Sequence, residues 1–263
     1  IIVDQDVLKL LPKIVWHLDE PMADPAVIPT YLVSEKTAEK VKVVLSGEGG
    51  DEVFGGYHTL NYVDWVKNVD VLPWFFRLGL GRMADLFSKS FQYPYKQKIL
   101  LGAALMREQG VKRRYQKLFY FPFEEEEKAA LLGNTAKQVS LKTAWDHYVN
   151  GDLLQGALQY YFNEYLPNDL LIKADRMGLA HGLEIRVPYL DIGLVEYSCK
   201  LHPRYRYHRA LFRRVAHDLL PREILQKKKQ GFTMPLSRWF MQKEFSSRFS
   251  QHFEDLGKRR IFD

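Results

Sequence analysis

Cysteine is nearly missing from these 263 residues: the one present, Cys199, excludes intramolecular disulfides and a cysteine-built zinc framework. Its setting, Leu194-Val-Glu-Tyr-Ser-Cys-Lys-Leu201, reads as a small buried core position in a protein of a reducing cytoplasm. No apolar run approaches the roughly 18 residues a membrane span requires, and nothing reads as a signal peptide, so no membrane partner is expected. Charge of one sign is lacking too. The 38 basic and 32 acidic residues leave +6, in short clusters at 112–114, 213–214, 227–229 and 258–260. A nucleic-acid binder concentrates its basic residues on one stripe, so that class is set aside. Repeats and low-complexity linkers are absent. So is an initial methionine: the chain opens Ile1-Ile2-Val3, which reads as a strand tail and marks the sequence as a fragment.

What is present centres on Ser46-Gly47-Glu48-Gly49-Gly50-Asp51-Glu52-Val53-Phe54-Gly55-Gly56-Tyr57, directly after an apolar run, Val43-Val44-Leu45, that reads as a buried strand. Glycine serves where φ must be positive or where backbone must approach a ligand. Glu48, Asp51 and Glu52 repel one another, so a metal ion or a basic side chain is expected among them. A loop at the carboxyl end of a parallel strand is where α/β folds hold ligands. This one is too long and too acidic for a solvated hairpin turn.

Around it the pattern is helical. Asp4 or Asp6 caps a helix with apolar positions at Val7, Leu8, Leu11, Val15 and Leu18, which Pro12 should kink or restart. The 19–25 loop, with two prolines and three acids, reads equally as an active-site wall or as a solvated connector. Residues 26–40 form a second helix with Pro29 in its first turn and Tyr31, Leu32 and Ala38 inward. The strand at 42–45 should then lie parallel to the strand tail at 1–3. From 57 to 137 the aromatic stripes (Trp65, Trp74, Phe75, Phe76, Phe87, Phe91) read as packing, and Glu124–Glu127 as a solvated helix start. Ser140 caps a helix, and 152–166 is amphipathic, with Leu154, Ala157, Leu158, Tyr161, Phe162 and Tyr165 on one side. Asp169 should cap another helix ending at Gly182, with Asp169, Lys173 and Arg176 within about 60° of one another. Residues 182–187 are extended before Pro188, and Asp191 begins a further helix. His181 reads as a structural histidine.

Three blocks resemble the synthetase domain of glutamine-dependent asparagine synthetases: the glycine-rich run at 45–57, the stretch from Tyr165 to Asp191 (YLPNDLLIKADRMGLAHGLEIRVPYLD), and the stretch from Leu220 to Trp239 (LPREILQKKKQGFTMPLSRW). The resemblance implies an α/β, adenine nucleotide α-hydrolase-like synthetase domain over 1–263, mostly α-helical as cut, with a remnant parallel sheet. It implies ATP-dependent amidation of aspartate to asparagine through an acyl-adenylate, with ATP and Mg²⁺ as cofactors. Ammonia would come from glutamine through an N-terminal glutaminase domain, and a homodimer is compatible with the family. A relative amidating another carboxylate, such as a sugar acid, stays open. The β-lactam-closing relatives carry a tyrosine where this chain has Glu48, which argues against them.

By the same resemblance Asp51 is the Mg²⁺ ligand, and Glu48 transfers a proton on the tetrahedral intermediate. Lys229 meets the adenylate and pyrophosphate, while Lys227 and Lys228 read as surface. Glu184 partners Glu48 or Lys229, and Ser46, Gly47, Gly49, Gly50, Asp51, Lys173 and Arg176 line the nucleotide site. Glu52 is expected to be structural. The family's Ser-Gly-Gly-x-Asp-Ser pyrophosphate loop and its glutaminase cysteine are absent, so these residues alone are expected to be inactive, with a sheet edge open to pairing.

Overall fold

Two short strands set the frame. In the computed structural model, β1 (Val43–Leu45) pairs in parallel with β2 (Glu184–Arg186), Val43 opposite Glu184 and Leu45 opposite Arg186. Bonds from Glu184 N to Lys42 O (2.9 Å) and from Ser46 N to Arg186 O (2.8 Å) extend the ladder one step at each end. The residues described are 7–88, 90, 95–111, 113–114, 130, 152–206, 210–226, 234, 239 and 241–258. The strand tail at 1–3, the expected caps Asp4, Asp6 and Ser140, Phe91, the acidic run at 124–127 and Lys227 to Lys229 lie outside them.

The rest is helical, and no described helix is long and apolar enough to cross a membrane. Helices α1 (Val7–Leu18) and α2 (Val27–Ala38) precede β1, and the short α3 (Gly50–Phe54) follows its turn. A hairpin of α4 (Trp74–Ser88) and α5 (Tyr95–Arg107) comes next. After it one continuous helical rod leads to β2: α6 (Leu153–Tyr160), a π-helical stretch (Tyr161–Leu171) and α7 (Ile172–Leu179). Helix α8 (Ile192–Lys200) lies beyond β2.

Burial divides into two cores. Val7, Ile14 and Leu18 of α1 pack with Val27, Ile28, Tyr31 and Leu32 of α2 against Met177 of α7. Leu153, Ala157, Leu158 and Tyr161 pack with Leu60, Val63, Val66 and Leu105. Tyr31, fully buried, meets the His181 ring edge-on at 4.4 Å, and burial holds that imidazole below its ordinary value. His181 packs on Tyr31, and its buried Nε2 finds no hydrogen-bond partner among the described residues.

Several expectations are corrected here. Pro12 does not restart α1, which runs on through it without the bond that a residue-12 N–H would make to residue 8. Val15 is exposed, because the buried stripe passes through Val7, Ile14 and Leu18. Asp169 caps nothing, since it sits inside the rod. β1 is not a buried strand: Val44 and Ile185 are half-buried, while Val43 and Leu45 are exposed on a face that no described residue covers. Trp74, Phe75, Phe76 and Phe87 are exposed, because α4 buries Arg77, Gly81 and Ser88 instead. Cys199 is exposed, since α8 turns Ser198 inward, one residue away.

The junction between rod and sheet depends on two glycines. Gly182 (φ +64°) ends the rod in a Schellman arrangement, with Leu183 N bonded to Gly178 O and Gly182 N to Leu179 O, both at 3.0 Å. Gly178 lets α7 lie against β2: a Cβ there would stand 2.8 Å from Leu183 O and 2.9 Å from Ile185 Cδ1. Gly178→Ala is expected to cost about 1–3 kcal/mol, because backbone must move. Urea denaturation checks this, and an unchanged midpoint would show that helix and strand separate freely.

Candidate functional site

The glycine-rich turn stands at the carboxyl end of β1, where a parallel pair leaves room for a ligand. Gly50 N closes it onto Gly47 O at 3.3 Å, and Val53 N bonds Gly49 O at 2.9 Å to start α3. Gly49 takes φ +86°, and a Cβ on it would stand 2.4 Å from Leu190 Cδ2. A Cβ on Gly50 would meet the Tyr189 ring at 3.3 Å. Gly49→Ala is therefore expected to cost about 1–2 kcal/mol from the left-handed backbone alone and to displace Leu190. A lowered thermal midpoint together with lost turnover would register both. Tyr189 and Leu190 are site residues that reading the sequence missed; their only signal was their place in the second resemblance block.

The three acids of the turn have different surroundings. Glu48 is half-buried, and its Oε2 is sealed from solvent with no hydrogen-bond partner among the described residues. Asp51 is half-buried in the first turn of α3. Glu52 is 1% exposed and accepts a hydrogen bond from the Tyr57 hydroxyl, so it is structural, as expected. Ser46 is half-buried and Gly47 exposed.

Asp24 ties the 19–25 loop to α2 and to the rod. Its Oδ1 accepts the Ala26 N–H at 2.9 Å at the entry to α2, while its Oδ2 accepts from Lys173. The same ammonium lies 3.4 Å from Asp169 Oδ1. Lys173 is thus buried between two carboxylates. Burial raises the Asp169 carboxyl above its ordinary value; Lys173 opposes the rise and Asp24 adds to it.

Arg176 separates from that group. It is exposed and lines a cleft of about 490 Å³ with Val15, Trp16, His17, Asp19, Leu179 and Ala180. Glu184 stands level with Val43, two residues short of the strand end, and its carboxylate takes Arg186 Nε at 2.7 Å. Arg186 is thus the partner the structure shows for it. That pair is exposed, and such pairs contribute little to stability. Lys229 lies outside the described residues. The structure therefore brings together Ser46, Gly47, Glu48, Gly49, Gly50 and Asp51 in one turn, with Lys173, Arg176 and Glu184 on other elements.

A parallel pair ending in an acidic glycine turn, with α7 packed against it, makes a mostly helical domain with a small parallel sheet. Comparison with known sequences is specific: the model of the asparagine synthase family matches residues 1–263. The chain belongs to the asparagine synthase family, whose members are ATP-dependent ligases, and the family implies an adenine nucleotide α-hydrolase-like fold. It is 31% identical over 247 residues to asparagine synthetase [glutamine-hydrolyzing] 1 of Bacillus subtilis, covering 91% of this chain and 38% of that protein. A putative asparagine synthetase [glutamine-hydrolyzing] of Mycobacterium tuberculosis is 31% identical over 244 residues, covering 87% of this chain and 35% of that protein. A more distant relative, amidase chry2 of Gibberella zeae, is 23% identical over 255 residues, covering 85% of this chain and 37% of its own. The chain thus spans well under half the length of these relatives. No solved structure matches it.

Proposed function

We propose that this chain carries the amidating chemistry of an ATP-dependent carbon–nitrogen ligase that converts aspartate to asparagine. The aspartate β-carboxylate attacks the α-phosphorus of ATP and pyrophosphate leaves. Ammonia then adds to the acyl-adenylate, and collapse of the tetrahedral adduct expels AMP. One observation carries this reading: the solvent-sealed oxygen of Glu48, unpartnered among the described residues, in a turn at the carboxyl end of the parallel pair. Buried polar atoms are normally paired, so a lone carboxylate oxygen here suits a group waiting for a proton or a ligand.

In this proposal Glu48 takes the proton that the attacking amine must lose, and Ser46, Gly47, Gly49 and Gly50 border the nucleotide. Asp51 would hold Mg²⁺. Among the described residues no three His, Cys, Asp or Glu side chains converge, which fits an ion that needs only one or two carboxylates beside phosphate and water. Mg²⁺ would neutralise phosphate charge and orient the phosphates. Lys229 would meet the departing pyrophosphate, and Lys173 would act by fixing the loop at Asp24. Arg176 would meet ligand groups entering its cleft, and Glu184 would act through Arg186. Ammonia would come from glutamine, a reading that the glutamine-hydrolyzing names of the relatives support.

The test uses the full-length gene product with ATP, Mg²⁺, ammonium and aspartate. Asparagine is expected to form in step with AMP and pyrophosphate. The second reading is transfer to another carboxylate, and an amidase among the distant relatives shows that similar chains are not all named as asparagine synthetases. AMP formed only with a different acid would establish that reading, and no AMP with any acid would overturn both.

A further inference from the structure

Helix α3 has five residues, too few to hold its own direction, because a single helical turn fixes more dihedrals than its bonds repay. Its orientation must come from tertiary anchors, and that orientation decides where Asp51 points and how the turn presents Glu48. One anchor is laid out in detail. Glu52 is 1% exposed and accepts the Tyr57 hydroxyl. The Tyr57 ring stacks on Tyr161 of the π-helical stretch, with centroids 3.9 Å apart and planes 18° apart. Tyr165 meets both rings edge-on, at 5.9 Å and 5.8 Å, and Thr59 shares a hydrogen bond with the Tyr161 hydroxyl. Consecutive residues of a helix point about 100° apart, so seating Glu52 in this cage turns Asp51 away from it. Burial, and then the charge of Glu52, push the Tyr57 hydroxyl well above its ordinary value, so it remains a donor under any assay condition.

Resting on the amidation proposed above, we propose that Tyr57 is a positioning residue: through Glu52 it locks α3 to the π-helical stretch and so holds Glu48 and Asp51 in register for reaction. It touches neither substrate nor metal. The stack on Tyr161 supplies the rigid platform, and the hydroxyl supplies the direction.

The test compares Tyr57→Phe, Glu52→Ala, Glu52→Gln and the Tyr57→Phe/Glu52→Ala pair in the full-length protein. Tyr57→Phe keeps the stack and removes one oxygen. It is expected to lower kcat by about 10–100-fold with the KM for aspartate unchanged, the scale of a small misplacement of reacting groups. Glu52→Gln still offers an amide oxygen to Tyr57 and should restore most of kcat. The double variant should be no worse than Glu52→Ala, since both remove one contact. Hydrogen exchange without substrate provides a second readout. The amides of Gly50 and Val53, which close the turn, should exchange at least about tenfold faster in Tyr57→Phe, with global unfolding unchanged. Wild-type exchange in Tyr57→Phe, or kinetic losses that add in the double variant, would overturn the positioning role. Faster exchange in a protein whose wild type makes no asparagine would keep the anchor and overturn the amidation reading instead.

Discussion

Glutamine in place of Glu48 is expected to cut asparagine formation by about 10²–10⁴-fold, the usual contribution of a positioned proton acceptor. The change is nearly isosteric, so the turn closed by Gly47 and Gly50 should keep its shape. Stability and activity should move in opposite directions. The wild-type oxygen Oε2 is buried without a partner among the described residues, a state that costs free energy and that a neutral side chain relieves. A thermal midpoint equal to or above wild type, beside lost turnover, is the signature of a group kept for chemistry. The step affected is specific as well. If Glu48 removes the amine proton, exchange of labelled pyrophosphate into ATP should survive with aspartate present, while amide formation fails. Loss of the exchange reaction would place Glu48 at adenylation and overturn the assigned role.

Methionine at Lys173 is expected to destabilise the chain toward the lower end of the about 3–5 kcal/mol typical of breaking a buried ion pair. The lower end applies because Asp24 and Asp169 keep 21% and 22% of their side-chain surface in solvent. Their two carboxylates would then face each other without the ammonium between them. The sign of the pH dependence follows. Asp169 is already held above its ordinary 3.8 by burial, so its ionisation costs stability as pH rises through the raised value. Without Lys173 the Asp169 carboxyl loses the contact that opposed its rise, and the deficit against wild type should shrink as the pH falls from 7 toward 4. Urea midpoints across that range give the answer. A deficit independent of pH would show that the loss is one of packing. An unchanged midpoint with a raised KM for ATP would return Lys173 to the nucleotide.

The parts of the fold that were legible share one property: each is decided within a few residues. Val43-Val44-Leu45 before a glycine turn reads as a strand because nothing else fits so short a β-branched run. Gly182 reads as a helix end because the left-handed turn favours glycine. Glu52 reads as structural within its own loop. The misreadings fall where distant residues decide. Asp169 has the chemistry of a cap, yet the rod passes through it, and its carboxylate pairs with Lys173 one turn on. For Lys173, i,i+4 spacing shows the neighbour Asp169 but not Asp24. Cys199 and Ser198 differ by one helical step, which composition does not resolve. Gly49 was singled out for its conformation, while the residue that also requires its lack of a side chain, Leu190, lies across the fold.

The pairing of β1 with β2 also dictates a schedule. Val43 and Glu184 stand 141 positions apart, and joining them closes a loop whose entropy costs about 4 kcal/mol from its length alone. During synthesis at about 5–20 residues per second, the glycine turn leaves the ribosome roughly 7–28 s before its partner strand exists. The Tyr161 platform and Leu190 emerge equally late. For that interval β1 lacks its partner β2, a natural point of engagement for a chaperone. Permuting the chain so that 152–206 precedes 7–88 would remove the wait, and should raise the soluble yield of a fast-translated copy.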